Sequence, residues 1–392
     1  MVTTDTSNER ASAPGADDRF PVLIVGSAGA FGARVAELLA KAGGFDLVLA
    51  GRRLEPLEVQ AEALARATSR HVRAVSLDAG AVSAEDLAAL QVSLVINASG
   101  PFQSEDYTLA RAAIGAGCHY IDLADARSFV TGIGVLDAAA RAAGVLIVSG
   151  ASSVPGLSSA VVAHHRGAFA SVDTIDLAIS PGNAFDPGVA TVASVLGGVG
   201  QPMRMLLDGT WRTVHGWQGL RRVRFGETGK RWVGYVDVPD LDLFPQHEPG
   251  LKTVRFQAGL EVSLFHLGLW AASWLVRFGI VRTLAPWAER MLSLKRRFSG
   301  LGSDRGGMTV KVRGKASDGT AKALTWVLTA RSGHGPYVPA LASVALARRL
   351  AKGVETRRGA MPCYGLAPLE EIVAAAQGLD ITFTGKEKPL PP

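Results

Sequence analysis

The sequence predicts an α/β protein: a doubly wound parallel sheet followed by a second α+β unit built on a mainly antiparallel sheet. Three observations predict it. In VLIVGSAGAFGARVAELLAKAG (residues 22–43) an apolar strand runs straight into a glycine-spaced turn and then into a helix with an apolar face. Short apolar runs then alternate with alanine-rich helical segments as far as residue 149. Beyond that point the period changes to alternating, strand-like runs separated by turn residues.

The first strand ends in Gly26-Ser27-Ala28-Gly29-Ala30-Phe31-Gly32. A turn with so little side chain lets backbone N–H groups and the positive end of a helix approach a pyrophosphate, so these seven residues are the expected phosphate loop. The spacing is GxxGxxG rather than GxGxxG, and an ordinary tight turn would also fit it. The order of the surrounding elements decides for a dinucleotide. Further strands are expected at residues 45–50, 72–77, 92–97, 118–123 and 145–149, with helices over 54–67, 84–90, 107–116 and 129–143. Strands and helices in that order give the Rossmann arrangement, strand order 3-2-1-4-5-6.

The second strand ends in Gly51-Arg52-Arg53, where a site preferring NAD would place a carboxylate on the ribose hydroxyls. Arginines there can pair with a 2′-phosphate and stack on adenine, so NADP is expected in preference to NAD. A solvated arginine pair is the competing reading. Asp78, after the third strand, either accepts from the adenine amino group or begins a turn. Asn97, Ala98, Ser99 and Gly100 follow the fourth strand at the topological switch point, where ligands of open α/β sheets lie. A plain strand-to-helix turn also fits them.

The 392 residues are too many for one ordinary domain. The expected division is a disordered polar tail over 1–18, a dinucleotide-binding domain over 19–150, an α+β substrate or dimerisation domain over 151–332, and helices returning to the first domain, then a tail, over 333–392. Two cysteines give neither a disulfide framework nor a metal-ligand pattern, and the histidines have no ligand spacing, so no metal is expected. The polar amino terminus has no apolar signal region, and a cytoplasmic location is expected. A net charge of +6, from 41 basic and 35 acidic residues, favours anionic ligands or lipid surfaces; no nucleic-acid motif accompanies it.

LAGRR (residues 49–53), VINASGPF (95–102), GCHYIDLAD (117–125) and SGASSVPGLSS (149–159) follow the glycine loop in that order. Over residues 20–162 the chain resembles the NADP-binding domain of the saccharopine dehydrogenase family. The resemblance implies a Rossmann fold and a nicotinamide cofactor; it does not imply saccharopine as substrate. In such enzymes the loops after the fifth and sixth strands bracket the nicotinamide. Carried over by motif, Asp125 lies at the cofactor, and Tyr120, Asp122, Ser152 and Ser153 on the substrate side. Asp125 would bind a substrate ammonium or orient a donor; capping a helix is its competing role. Tyr120 alternates with buried strand residues and fits the core equally.

In the second unit, strands are expected at 174–180, 231–238, 307–315 and 321–329, the last two joined by a hairpin through Asp318-Gly319. Helices are expected at 157–165, 187–197, 336–350 and 369–376. Arg212, His215, Arg221 and Arg224 are candidate carboxylate binders. The segment VSLFHLGLWAASWLVRFGIV (262–281) departs from the pattern of a polar amino-acid enzyme: it is long enough to span a bilayer yet holds His266 and Arg277. The preferred reading is a buried helix lining a hydrophobic substrate cavity or a dimer contact. Peripheral docking at a membrane surface through 262–297, with its tryptophans and basic residues, comes next.

The sequence therefore points to an NADP-dependent oxidoreductase, expected as a homodimer, moving a hydride to or from a C=N or C–N bond of an amine or amino-acid derivative. An iminium carbon is already electrophilic, which suits a chain with no evident Ser/His/Asp triad, Tyr-x-x-x-Lys pair or cysteine nucleophile. The alternatives are an enoyl (C=C) reductase for a lipid-like substrate and a non-catalytic nucleotide-binding scaffold at a lipid surface.

Overall fold

The structure, a computed structural model, describes residues 19–102 and 106–389; the expected tail at 1–18 lies outside the described residues. Strands β1 (Phe20–Val25), β2 (Phe45–Gly51), β3 (Val72–Ser76), β4 (Leu94–Asn97), β5 (His119–Asp122) and β6 (Leu146–Ser149) are all parallel and pair in the order 3-2-1-4-5-6. The central strands are apolar on both faces because helices cover both: Val22 to Val25 and Leu94 to Ile96 are essentially inaccessible to solvent. Helices α1 (Ala30–Ala42), α2 (Leu54–Thr68), α3 (Ala84–Ala89) and α4 (Thr108–Gly115) provide the first crossovers. The single helix expected at 129–143 is instead α5 (Arg127–Gly132), a 3₁₀ turn (Ile133–Leu136) and α6 (Asp137–Ala142).

Helix α7 (Ser158–His165) leads into the second sheet, whose order is β10-β11-β12-β7-β13-β14-β16. Its long strands β7 (Ser171–Ser180), β13 (Gly306–Lys315) and β14 (Ala321–Ala330) contain three of the expected runs, and β11 (Lys230–Tyr235) most of the fourth. The sheet is antiparallel except where β12 (Thr253–Ala258) runs parallel to β7. Strand β10 (Arg221–Arg224) forms one edge, and β8 (Pro202–Leu207) with β9 (Thr210–His215) makes a separate ribbon. Between the strands lie α8 (Gly188–Gly198), α9 (Asp240–His247), α10 (Ser263–Arg277) and α11 (Ala288–Arg297).

Two features of the carboxyl-terminal part correct the sequence reading. After a 3₁₀ turn (Gly335–Ala340) and α12 (Leu341–Ala351), β15 (Gly359–Pro362) adds a seventh parallel strand beside β6. After α13 (Leu369–Ala374), the segment expected to trail off as a tail forms β16 (Ile381–Pro389), the edge strand against β14. Its register sets Phe383 opposite Leu328 and Lys386 opposite Thr325, so a polar sequence is held by main-chain pairing. The last segment thus ties both sheets together. One continuous apolar core runs from Val22 and Leu39 through Val161 and Leu346 to Leu177 and Trp326.

Candidate functional site

Two of the three loop glycines answer to the fold itself. Gly26 has φ +78°, and a Cβ there would stand 2.8 Å from the backbone of Ser99. A Cβ on Gly32 would lie 2.2 Å from the Gly26 carbonyl oxygen. Gly29 differs: its Cβ would meet only that oxygen, at 3.1 Å, and the residue is exposed. It is the N-cap of α1, with no side-chain cap and no acidic residue in the first turn. Uncapped N–H groups at the start of a helix that long suit a bound phosphate.

Arg52 and Arg53 are both exposed at the end of β2 and, among the described residues, neither side chain has a partner. Asp78 begins a turn, its Oδ1 accepting from the Gly80 amide at 3.0 Å. The loop at 26–32, the arginine pair and Asp78 therefore line up along the carboxyl ends of β1, β2 and β3.

The other half of the edge is built on buried polar groups. Asn97 is fully buried; its Oδ1 accepts from the Ser99 amide (3.0 Å) and hydroxyl (2.6 Å), while its amide donates to the Tyr120 hydroxyl at 3.1 Å. Its side chain thus fastens the loop 98–100 from beneath. Asp122, also fully buried, accepts on Oδ1 from the Ala124 amide (3.0 Å), the Gly150 amide (2.8 Å) and the Ser149 hydroxyl (3.0 Å). Burial pushes its carboxyl up to about 6 against the pull of those donors. Tyr120 and Asp122 accordingly lie buried under the loops after β5 and β6, which for Tyr120 is the core position its alternation along the strand also fits. The loop after β6 is held from the far side as well. Ser159 Oγ donates to the Pro155 carbonyl (2.6 Å) and accepts from the Gly365 amide (2.9 Å), beyond β15. Ser152 is buried and Ser153 half-buried within that loop.

Asp125 is the accessible carboxylate of this edge. Ala126, not Asp125, is the N-cap of α5, and no side-chain hydrogen bond caps that helix. The side chain is exposed, yet desolvation by the protein packed around it pushes its carboxyl up. Water access together with desolvation describes a group in a recess. Among the described residues no other side chain pairs with it.

The second unit meets this edge of the first through contacts that sequence reasoning missed. Arg127 donates to Asp242, to Asp237 (2.8 Å) and to the Arg204 carbonyl (2.8 Å), joining α5 to the segment before and within α9. Phe31 of the glycine loop meets Phe185, with ring centroids 6.3 Å apart. Asp240 is fully buried at the start of α9 and accepts from the Ser158 hydroxyl; burial pushes its carboxyl up to about 7, and among the described residues its Oδ2 has no hydrogen-bond partner. The only sequence signal for this junction is the acidic spacing in DVPDLD (237–242). Of the candidate carboxylate binders, Arg221 is committed to Gln257 and to buried Asp176 (3.4 Å) on the second sheet. Arg212 and Arg224 are exposed on β9 and β10, and His215 is half-buried at the end of β9. Among the described residues no group of His, Cys, Asp and Glu could hold a metal ion, and both cysteines are buried and unpaired.

Residues 22–148 match the family model described as "Saccharopine dehydrogenase NADP binding domain". Comparison with curated proteins finds no match. Among solved structures, the chain is similar to apo saccharopine dehydrogenase (L-Glu forming) from Saccharomyces cerevisiae, with a TM-score of 0.65, 15% identity, and 95% of this chain and 100% of that one covered. At that identity the likeness shows a shared fold over both units. Lower likeness is found to GenD2 from gentamicin A biosynthesis (TM-score 0.42, 14% identity, 98% and 100% covered). A short-chain dehydrogenase from Sphingobium yanoikuyae gives TM-score 0.22 and 26% identity, with 26% and 52% covered.

Proposed function

We propose that this chain, whose residues 22–148 match the family model for the saccharopine dehydrogenase NADP-binding domain, is an NADP-dependent oxidoreductase that transfers hydride to or from a C=N or C–N bond of an amine or amino-acid derivative. The residues present fit the cofactor. The uncapped start of α1 at Gly29, with Ser27, Ala28, Ala30 and Phe31 around it, suits the pyrophosphate, and Arg52 and Arg53 suit a 2′-phosphate. The loop 97–100 and Asp125 border the nicotinamide side, and Ser152 and Ser153 the substrate side. When bound, the cofactor supplies or accepts the hydride.

The observation that carries the reading is Asp125, just beyond β5: its side chain is exposed, desolvation pushes its carboxyl up, and among the described residues no other side chain pairs with it. Its raised pKa fits exchange of a proton with an amine nitrogen. In the oxidative direction the amine loses N–H to Asp125 as its lone pair forms the C=N bond and C–H leaves as hydride. In the reductive direction Asp125 returns the proton to nitrogen. Asp122 and Asn97 act through the loops, fixing where Asp125 and residues 98–100 stand. A second reading is reduction of an activated C=C bond in a lipid-like substrate, which the apolar segment 262–281 favours.

NADPH oxidation with imines of amino acids, with enoyl thioesters and without substrate tests the assignment. Turnover of imines, falling about a hundredfold or more in Asp125→Asn while NADPH affinity stays within a few-fold, is the expected result. Turnover of enoyl substrates alone, or wild-type rates in Asp125→Asn, would overturn it.

A further inference from the structure

Helix α10 buries two polar side chains and leaves an apolar stripe outside. His266 and Ser273 are turned inward, with Leu269 and Val276, and are fully buried. His266 sits 5.3 Å from the Trp217 ring, and burial pushes its imidazole down to about 4, so it is neutral there. The outward face carries Leu264 (74% exposed), Gly268, Ala271 and Leu275, at i, i+4, i+7 and i+11. Phe278 and Ile280, just beyond the helix, are 70% and 68% exposed. Within the single chain the helix is thus covered on one face only.

Helix α11 repeats the pattern. Trp287, Met291, Leu294 and Phe298 fall at i, i+4, i+7 and i+11 and are all exposed, while Ala288 and Leu292 face the core. The two helices approach where Phe265 meets Phe298, ring centroids 6.1 Å apart. Scattered surface leucines need no explanation, but two exposed apolar stripes on neighbouring helices do.

The charge around these stripes indicates what covers them. Between residues 262 and 301 there are six basic residues and a single acidic one, Glu289. Lys295 and Arg296 are used internally, on the Asn183 carbonyl (2.8 Å) and on Asp186 (2.8 Å). Arg282, Arg290 and Arg297 are exposed, with no ion-pair partner among the described residues. Arg277 lies 4.9 Å over the Trp274 ring and donates to the Gln218 side-chain oxygen at 2.7 Å, so it too is held internally. No helix among the described residues is long and apolar enough to cross a membrane, and α10, with 15 residues, extends only about 22 Å at 1.5 Å per residue.

We propose that the outer faces of α10 and α11, with the connecting turn, form a docking surface for an anionic bilayer. The helices lie in the plane of the interface, aromatic and leucine side chains entering the acyl boundary while Arg282, Arg290 and Arg297 meet lipid phosphates. This inference is independent of the reaction assigned above.

Flotation of the full chain with vesicles tests it, using phosphatidylcholine alone and an equimolar mixture with phosphatidylglycerol. The expected result is binding to the mixed vesicles, weakening as salt rises, with a blue-shifted tryptophan emission. Leu264→Gln/Phe278→Gln/Ile280→Gln should lower the partition at least tenfold. Arg282→Gln/Arg290→Gln/Arg297→Gln should lower it about a hundredfold on mixed vesicles. All six positions are exposed, so thermal melting should match wild type for both variants. Failure of the wild-type chain to float would overturn the proposal, as would flotation unaltered by either variant. So would a dimer in sedimentation that the apolar variant dissociates without any vesicle binding, since the face would then belong to a second copy.

Discussion

The two halves of the parallel sheet's carboxyl edge use polar residues in opposite ways. Along β4, β5 and β6, Asn97, Tyr120, Asp122 and Ser149 direct their hydrogen bonds at one another and at loop backbone. Along β1, β2 and β3, the Arg52 and Arg53 side chains have no partner among the described residues, and no side chain caps the start of α1. One half shapes the site from beneath; the other leaves charge and N–H groups pointing outward. A substitution in the first half should therefore be read in stability, and one in the second in ligand affinity.

A large effect is expected at Asp122. Asp122→Ala strands three buried donors and should destabilise the chain by about 3–5 kcal/mol in urea unfolding. An unfolding free energy within about 1 kcal/mol of wild type would mean that the loops after β5 and β6 hold without it.

Asp240 sharpens the contrast because it is only half satisfied. Its carboxyl rises from 3.8 to about 7 on folding, mainly through burial, so the folded state holds the proton more tightly than the unfolded one. That contribution is complete below about pH 4 and is lost as pH climbs through about 7; Asp122, raised to about 6, acts in the same sense. Asp240→Asn is neutral throughout and still accepts from Ser158. It should be more stable than wild type at pH 8, by on the order of 2–4 kcal/mol, and nearly equal to it at pH 4. An identical difference at both pH values would show that Asp240 does not titrate in this range.

The glycine loop lets the contrast be tested within seven residues. Gly32→Val drives a side chain into the Gly26 carbonyl and should unfold or strongly destabilise the domain. Gly29→Val, with far more room, should fold and melt within a few degrees of wild type, yet lose about a hundredfold in NADPH affinity as the branched side chain covers the helix start. Unchanged NADPH binding in Gly29→Val would remove the pyrophosphate from this loop.

What could be read in the sequence divides along similar physical lines. The strand–glycine–helix run and the order 3-2-1-4-5-6 were legible because each element is contiguous and carries its own period. Strand β15 was not: four residues ending in Pro362 have no period, and only pairing with β6 makes them a strand. Strand β16 reads as a polar tail because its edge position lets lysines face water. Ribbon β8–β9 turns at Asp208-Gly209, the same dipeptide that marked the hairpin at 318–319, and passed unnoticed beside a less regular alternation. Within the site, motif position identified Asp122 and Asp125 together, but sequence has no means of telling that one points inward and the other into a recess. Arg127 and Asp240 depend on contacts across more than 80 residues, for which the acidic spacing in DVPDLD (237–242) is the only local trace.

The smallest effect separates NADP from NAD and works only on the outward-pointing half. Arg52→Ala with Arg53→Ala removes two exposed guanidinium groups that no internal carboxylate holds, so stability should stay within about 0.5 kcal/mol of wild type. Charge-assisted pairs with a 2′-phosphate would be lost, weakening NADPH by on the order of 1–3 kcal/mol, while NADH, which lacks that phosphate, keeps its affinity apart from any stacking on adenine. Titration calorimetry with both dinucleotides measures the difference directly. Equal losses for the two would assign the arginines to adenine or to solvent, and the 2′-phosphate would need another partner along β2 and β3.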